Sequence, residues 1–179
     1  MVEILCIIPA RSGSKGIQNK NIMDFHGKPL LGWSIEQAQK CNYKMKIVVS
    51  TDSTEYADIA VKYGAEVPFL RPPEISQDLS TDYEFMNHCV EWLKEHQKYN
   101  CDIILQLRPT SPTRKVEDIN KALEMFLNKR DTFDSLRSVI PVEKSPYKMY
   151  SLNNGNLVPL FNEINHIKEP YNQPRQILP

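Results

Sequence analysis

The sequence carries no net charge: Lys plus Arg and Asp plus Glu each number 22. That balance gives no support to a chain that coats nucleic acid or a membrane surface, where one sign of charge dominates. No apolar run approaches the roughly 18 residues needed to cross a bilayer. The apolar start, residues 1–9, is short, has no basic leader and runs straight into a loop. It does not read as a signal peptide, and a cytoplasmic protein is expected. Cysteine is scarce. Cys6, Cys41, Cys89 and Cys101 lie far apart, with no CxxC pair and no His at metal-ligand spacing. They read as small buried or surface thiols, not as a zinc site or a disulfide framework. There is no internal repeat and no low-complexity stretch.

What is present is ordinary globular composition, with 41% hydrophobic and 25% charged residues. A chain of 179 residues is long enough to bury a substantial core. The run Ile4-Leu5-Cys6-Ile7-Ile8 is continuously apolar, as expected of a strand covered on both faces. Leu31, Ile35 and Ala38 recur at helical spacing. Residues 46–50 form a second buried strand, and 54–63 a helix that stops at Gly64, a usual place for glycine. Residues 67–70 are predicted as a short strand, at a sheet edge or a strand end because of Pro68. A longer helix spans about 82–97, a central strand 102–107, and Val116, Ile119, Leu123 and Phe126 mark another helix. Strands alternating with helices predict an α/β fold with a mainly parallel sheet. After about residue 135 the pattern changes. Residues 138–142 and 147–150 are predicted as strands, and Asn153-Asn154-Gly155-Asn156 as a turn between extended pieces.

In a parallel sheet, ligands bind beyond the carboxyl ends of the strands. The loop after Ile8 lies at such an end. Ala10-Arg11-Ser12-Gly13-Ser14-Lys15-Gly16 sets two cations among small residues. Its glycines permit close backbone approach to an anion, and its serines add hydroxyl donors. Arg supplies a planar fork and Lys a mobile point charge, a pairing suited to a phosphate chain. The loop is neither a GxGxxG fingerprint nor a GxxxxGK[ST] P-loop. A solvated basic surface loop would share its composition. Asn21 offers both a donor and an acceptor for a base edge, though a cap or turn role suits it equally.

The stretch from Ile8 to Gly16, together with Lys20-Asn21, resembles the signature of the acylneuraminate cytidylyltransferases, the CMP-sialic acid synthetases. The likeness continues in order through Val49-Ser50-Thr51-Asp52, Leu70-Arg71-Pro72-Pro73-Glu74, Arg108-Pro109-Thr110-Ser111-Pro112 and Gln173-Pro174-Arg175-Gln176-Ile177-Leu178-Pro179. The resemblance implies a Rossmann-like nucleotidyltransferase core over residues 1–134 and a small strand-rich dimerisation extension over 135–179. It implies transfer of CMP from CTP to a nine-carbon α-keto acid sugar, with Mg²⁺ or Mn²⁺, in a homodimer without nucleic-acid or membrane partners. Nucleotide binding would fall to Ala10, Arg11, Ser12, Gly13, Ser14, Lys15, Lys20, Asn21, Arg71 and Thr81. Arg11 and Lys15 would act in catalysis, neutralising charge on the leaving pyrophosphate. Arg108, Lys148 and Arg175 would meet the sugar.

The sequence also departs from the family pattern. Arg108 stands where the family commonly has Gln, which leaves the sugar open and admits acids such as KDN or legionaminic acid. Asp82 stands where a small hydroxyl residue is often found. The family normally continues beyond the Arg-Gln-x-Leu-Pro motif into a part carrying the acidic metal ligands, so the metal ligands are unassigned here. Asp52 and Asp78 lie near the expected cleft, but capping or loop hydrogen bonding suits each at least as well. A CMP-KDO-type synthetase and a noncatalytic nucleotide-binding module are the alternatives.

Overall fold

The computed structural model describes residues 2–141 and 145–172. The chain divides into two compact units, Met1–Leu136 and Arg137–Pro179. In the first unit, β1 (Ile4–Pro9) leads into the glycine-containing loop and a 3-10 turn at Lys20–Ile22. A small hairpin follows, β2 (Asp24–Phe25) and β3 (Lys28–Pro29). Then come α1 (Leu30–Gln39), β4 (Lys46–Ser50) and α2 (Thr54–Lys62). A 3-10 turn at Pro73–Ile75 precedes α3 (Asp82–Gln97), β5 (Ile103–Gln106) and α4 (Val116–Leu127). Among the described residues, no helix is long and apolar enough to cross a membrane.

The core sheet has the order β4-β1-β5, all parallel, with Ile7 opposite both Val48 and Gln106. Strand geometry sends successive side chains to opposite faces. Ile4, Cys6 and Ile8 therefore pack with Leu31 and Ile35 of α1, Tyr56 and Ala60 of α2, and Ile119 and Leu123 of α4. Leu5, Ile7 and Val48 pack on the other face with Phe85, Cys89 and Leu93 of α3. Helices on both faces are the reason β1 is apolar throughout and not alternating. Burial of each large aliphatic side chain, such as the fully buried Leu5, Ile7 and Ile8, contributes about 1.5–3 kcal/mol.

Local signals fix the helix ends. The Ser53 hydroxyl accepts from the Tyr56 N–H at the start of α2. At α3, Thr81 accepts from the Glu84 N–H while the Glu84 carboxylate accepts from the Thr81 N–H, a reciprocal capping box. Gly64, with φ +88°, ends the α2 segment in the left-handed region that glycine adopts without strain.

Three predicted strands are corrected. Residues 67–70 form no strand; sheet pairing stops at Glu66, whose N–H and C=O bond Ile47 and Val49 at 2.9 Å. Pro68 has no N–H with which to continue that ladder. Residues 138–141 form no strand, and Val142 lies outside the described residues. Tyr147 and Lys148 sit in a 3-10 turn, Pro146–Lys148, nucleated by a proline at its first position. The strand starts only at Tyr150.

In the second unit, β6 (Tyr150–Asn153) and β7 (Asn156–Pro159) form an antiparallel hairpin. Its two turn residues, Asn154 (φ 48°) and Gly155 (φ 81°), both have positive φ. That is the type I′ geometry expected of an Asn-Gly pair. A second small hairpin pairs β8 (Glu163–Ile164) with β9 (Ile167–Lys168).

Candidate active site

Because β4, β1 and β5 are parallel neighbours, their carboxyl ends open on one edge of the sheet. The segments that follow them line a cleft of about 340 Å³. Arg11, Ser14, Lys15 and Gly16 come from the loop after β1, Lys20 and Asn21 from the next turn, and Arg71 from the segment beyond β4. Thr81, Asp82 and Phe85 come from the start of α3, and Arg108 from beyond β5. Residues separated by nearly a hundred positions thus share one concavity at the place parallel sheets use for ligands.

Arg71 is the most constrained cation in the cleft. It is 5% exposed. Its Nε donates to Ser50 Oγ at 3.0 Å and its Nη2 to the Ser50 carbonyl at 2.5 Å. Its guanidinium carbon lies 4.7 Å from the centre of the Phe85 ring, a cation–π contact. Burial pushes its pKa down to about 10, which leaves it charged at neutral pH. Asn21 is also buried, and its side-chain NH₂ donates to the Arg11 carbonyl at 3.0 Å.

The loop after β1 is shaped by carboxylates from elsewhere in the chain. Asp52, just beyond β4, accepts the Ser12 N–H at 2.7 Å and the Ser12 hydroxyl at 2.9 Å. Arg11 donates from Nη1 to the Gly13 carbonyl at 2.9 Å. Its Nη2 lies 3.0 Å from Asp78 Oδ1, and Lys15 pairs with the other Asp78 oxygen. The Lys15 ammonium, and then the Arg11 guanidinium, hold the Asp78 carboxyl below its ordinary range. At the far side of the cleft, Arg108 pairs with Asp82. The two residues that differ from the family pattern, Arg108 and Asp82, are therefore in contact with each other.

Not every sequence-predicted residue presents a free group to the cleft. Ala10 is fully buried in the core, and its N–H donates to the Ser50 carbonyl at 2.9 Å. Ser12 directs both donors to Asp52, and Gly13 offers its carbonyl to Arg11. The Thr81 hydroxyl lies in the cleft wall but bonds the Glu84 carboxylate at 2.9 Å. Lys148 is exposed in the second unit, and Arg175 lies outside the described residues. Sequence reasoning missed Phe85 and Ser50 as the support of Arg71. It also left Asp52 and Asp78 without partners. Asp52 had a signal, since it follows a buried strand directly; Asp78 had none.

The thiols stay protonated. Burial raises the pKa of Cys6 strongly and pushes that of Cys89 up to about 12. Among the described residues, no group of three or more His, Cys, Asp and Glu is arranged to hold a metal ion.

The sequence profile described as Cytidylyltransferase matches residues 5–157. The CMP-N,N'-diacetyllegionaminic acid synthase of Legionella pneumophila is 42% identical to this chain, over 88% of the chain and 66% of that protein. A pseudaminic acid cytidylyltransferase of Campylobacter jejuni is 36% identical, over 89% of the chain and 67% of that protein. The chain thus spans about two thirds of the length of these relatives. Among solved structures, CMP:2-keto-3-deoxy-manno-octonic acid synthetase complexed with CTP superposes with a TM-score of 0.59 at 22% identity. That match covers 72% of this chain and 48% of the other, and it shows the shared nucleotidyltransferase fold. Matched over most of its length by the family profile and by relatives 36% and 42% identical to it, the chain belongs to the cytidylyltransferase family.

Proposed function

We propose that this chain transfers CMP from CTP to the anomeric hydroxyl of a nonulosonic acid, releasing pyrophosphate. The observation that carries this is the convergence of Arg11, Lys15, Lys20, Asn21 and Arg71 on one cleft beyond the carboxyl ends of β1 and β4. Arg11, Lys15 and Lys20 supply positive charge for the triphosphate. Asn21 and Arg71 would read the cytidine; their burial and their backbone and ring contacts, which hold them rigidly, support that role. The sugar hydroxyl attacks the α-phosphorus and the pyrophosphate leaves in line. Catalysis of this kind is mainly positioning plus neutralisation of charge on the departing oxygens. No side-chain nucleophile is needed, in keeping with the protonated thiols.

The carboxylates in and beside the cleft, Asp52, Asp78 and Asp82, are bonded to Ser12, to Arg11 and Lys15, and to Arg108. They do not form a metal cage. Mg²⁺ or Mn²⁺ is the metal expected for this chemistry, where it would neutralise phosphate charge; no protein ligand for it is assigned among the described residues. The sugar is a nine-carbon α-keto acid; the names of the legionaminic and pseudaminic acid relatives support that class. Arg108, Lys148 and Arg175 are its proposed contacts. A homodimer is supported by the exposed Leu152 and Leu157 of the β6–β7 hairpin. A cytoplasmic location accords with CTP as co-substrate.

Lys15→Ala tests the assignment of the loop. The Lys15 side chain is 84% exposed, so the thermal midpoint should stay put while sugar-dependent pyrophosphate release is lost. Near-normal release in that variant refutes the assignment.

A further inference from the structure

The two cations assigned to the triphosphate already hold an anion. One Asp78 oxygen is on Arg11 and the other is on Lys15, much as two oxygens of a phosphate would be. Asp78 sits in a short turn, closed by the Ser80 N–H donating to the Gln77 carbonyl at 3.2 Å and the Gln77 N–H to Ser80 Oγ at 2.9 Å. Gln77 Nε2 anchors this turn to the Pro73 carbonyl at 2.7 Å. The contact lies near the surface, with the Asp78 and Lys15 side chains 35% and 84% exposed, where ion pairs are weak and exchange readily.

We propose that Asp78 is a tethered competitor for the phosphate-chain subsite: it occupies Arg11 and Lys15 until a polyphosphate displaces it, and it recaptures them as pyrophosphate leaves. This rests on the phosphate role of Arg11 and Lys15 proposed above. One carboxylate charge faces two cations, so a diphosphate neutralises the pair more completely than Asp78 does. Once displaced, Asp78 stays beside the subsite because its turn is anchored, and a tethered group acts at high effective concentration. Any ligand that must take both cations loses affinity by one common factor. A ligand that does not reach them loses none. The consequence is a threshold that keeps weak, singly charged anions out of the subsite, the carboxylate of the sugar substrate included, and that weakens product inhibition by pyrophosphate.

Calorimetric titration of the full chain with pyrophosphate, CTP and cytidine tests this in the parent protein, Asp78→Asn, Lys15→Ala and the double variant. Asp78→Asn should tighten pyrophosphate and CTP by the same factor, roughly three- to tenfold for two part-exposed ion contacts, and leave cytidine unchanged. In the Lys15→Ala background the gain should shrink, because one of the two contacts is already gone. Unchanged or weaker pyrophosphate binding in Asp78→Asn overturns the proposal while the loop assignment stands. Unchanged pyrophosphate binding in Lys15→Ala removes the loop assignment itself, and the proposal with it.

Discussion

Arg71→Met separates a structural strut from a ligand-binding group. Holding the guanidinium charged in its buried position, with its pKa pushed down to about 10, costs about 3 kcal/mol. Against that stand two hydrogen bonds to Ser50 and the contact with the Phe85 ring, which together contribute about 3–5 kcal/mol. Methionine keeps most of the side-chain volume and removes the charge. The Ser50 carbonyl retains the Ala10 N–H as a donor at 2.9 Å, so the substitution strands no buried carbonyl. The terms nearly cancel, and a net destabilisation of about 0–2 kcal/mol follows, close to the near-neutral outcome that replacement of buried ionic groups by apolar side chains of similar volume often gives. CTP affinity should fall at least about tenfold, the loss of one charge-assisted contact in a desolvated site. Urea unfolding gives the first quantity and calorimetry the second. A loss of stability above about 3 kcal/mol with CTP affinity unchanged would mean that Arg71 only supports the fold.

Two further outcomes follow from contacts around the cleft and α1. Asp52→Ala removes both bonds to Ser12, so the KM for CTP should rise about tenfold for roughly 1.4 kcal/mol of lost positioning; Asp52→Asn keeps an acceptor for the Ser12 N–H and should recover part of that loss. An unchanged KM in Asp52→Ala excludes this role. Lys28 donates to both Glu36 oxygens at 2.7 Å, and that bond, ahead of the charge of Lys28 itself, holds the Glu36 pKa below its ordinary value. A carboxyl lowered on folding contributes stability that is full above the unfolded value of about 4.3 and is lost as pH falls through the lower folded value. The stability difference between the parent and Glu36→Gln, measured by urea unfolding, should therefore shrink on going from about pH 6 to about pH 3; a difference that does not change refutes the pairing.

The core strands and helices were legible because their signals are local and strong. Ile4 to Ile8 could be read as a doubly covered strand from its unbroken apolar run, and α3 from the face made by Met86, Cys89, Val90 and Leu93, with both ends as predicted. Residues 67–70 and 147–150 misled for a shared reason. Apolar and aromatic residues suggested extension, but Pro68 and Pro146 decided the backbone. The β2–β3 hairpin was invisible because two residues per strand carry no period; its one trace is His26-Gly27, both at positive φ.

Of the residues that motif resemblance singled out, Arg11, Ser14, Lys15, Lys20, Asn21, Arg71, Thr81 and Arg108 line one cleft, whereas Ala10, Ser12 and Gly13 do not line it, Lys148 belongs to the second unit and Arg175 lies outside the described residues. Their carboxylate partners were not legible. Asp52 meets Ser12 across 40 positions and Asp82 meets Arg108 across 26, and such pairings exist only once the sheet has brought the strand ends together.

The central claim is the reaction itself, and sugar-dependent pyrophosphate release from CTP tests it most directly. With Mg²⁺ present, the chain, or the full gene product if it is longer, should release pyrophosphate from CTP when given legionaminic, pseudaminic or N-acetylneuraminic acid, and form the corresponding CMP-sugar. CTP binding without release for any of these acids would contradict the account and leave a nucleotide-binding module in its place.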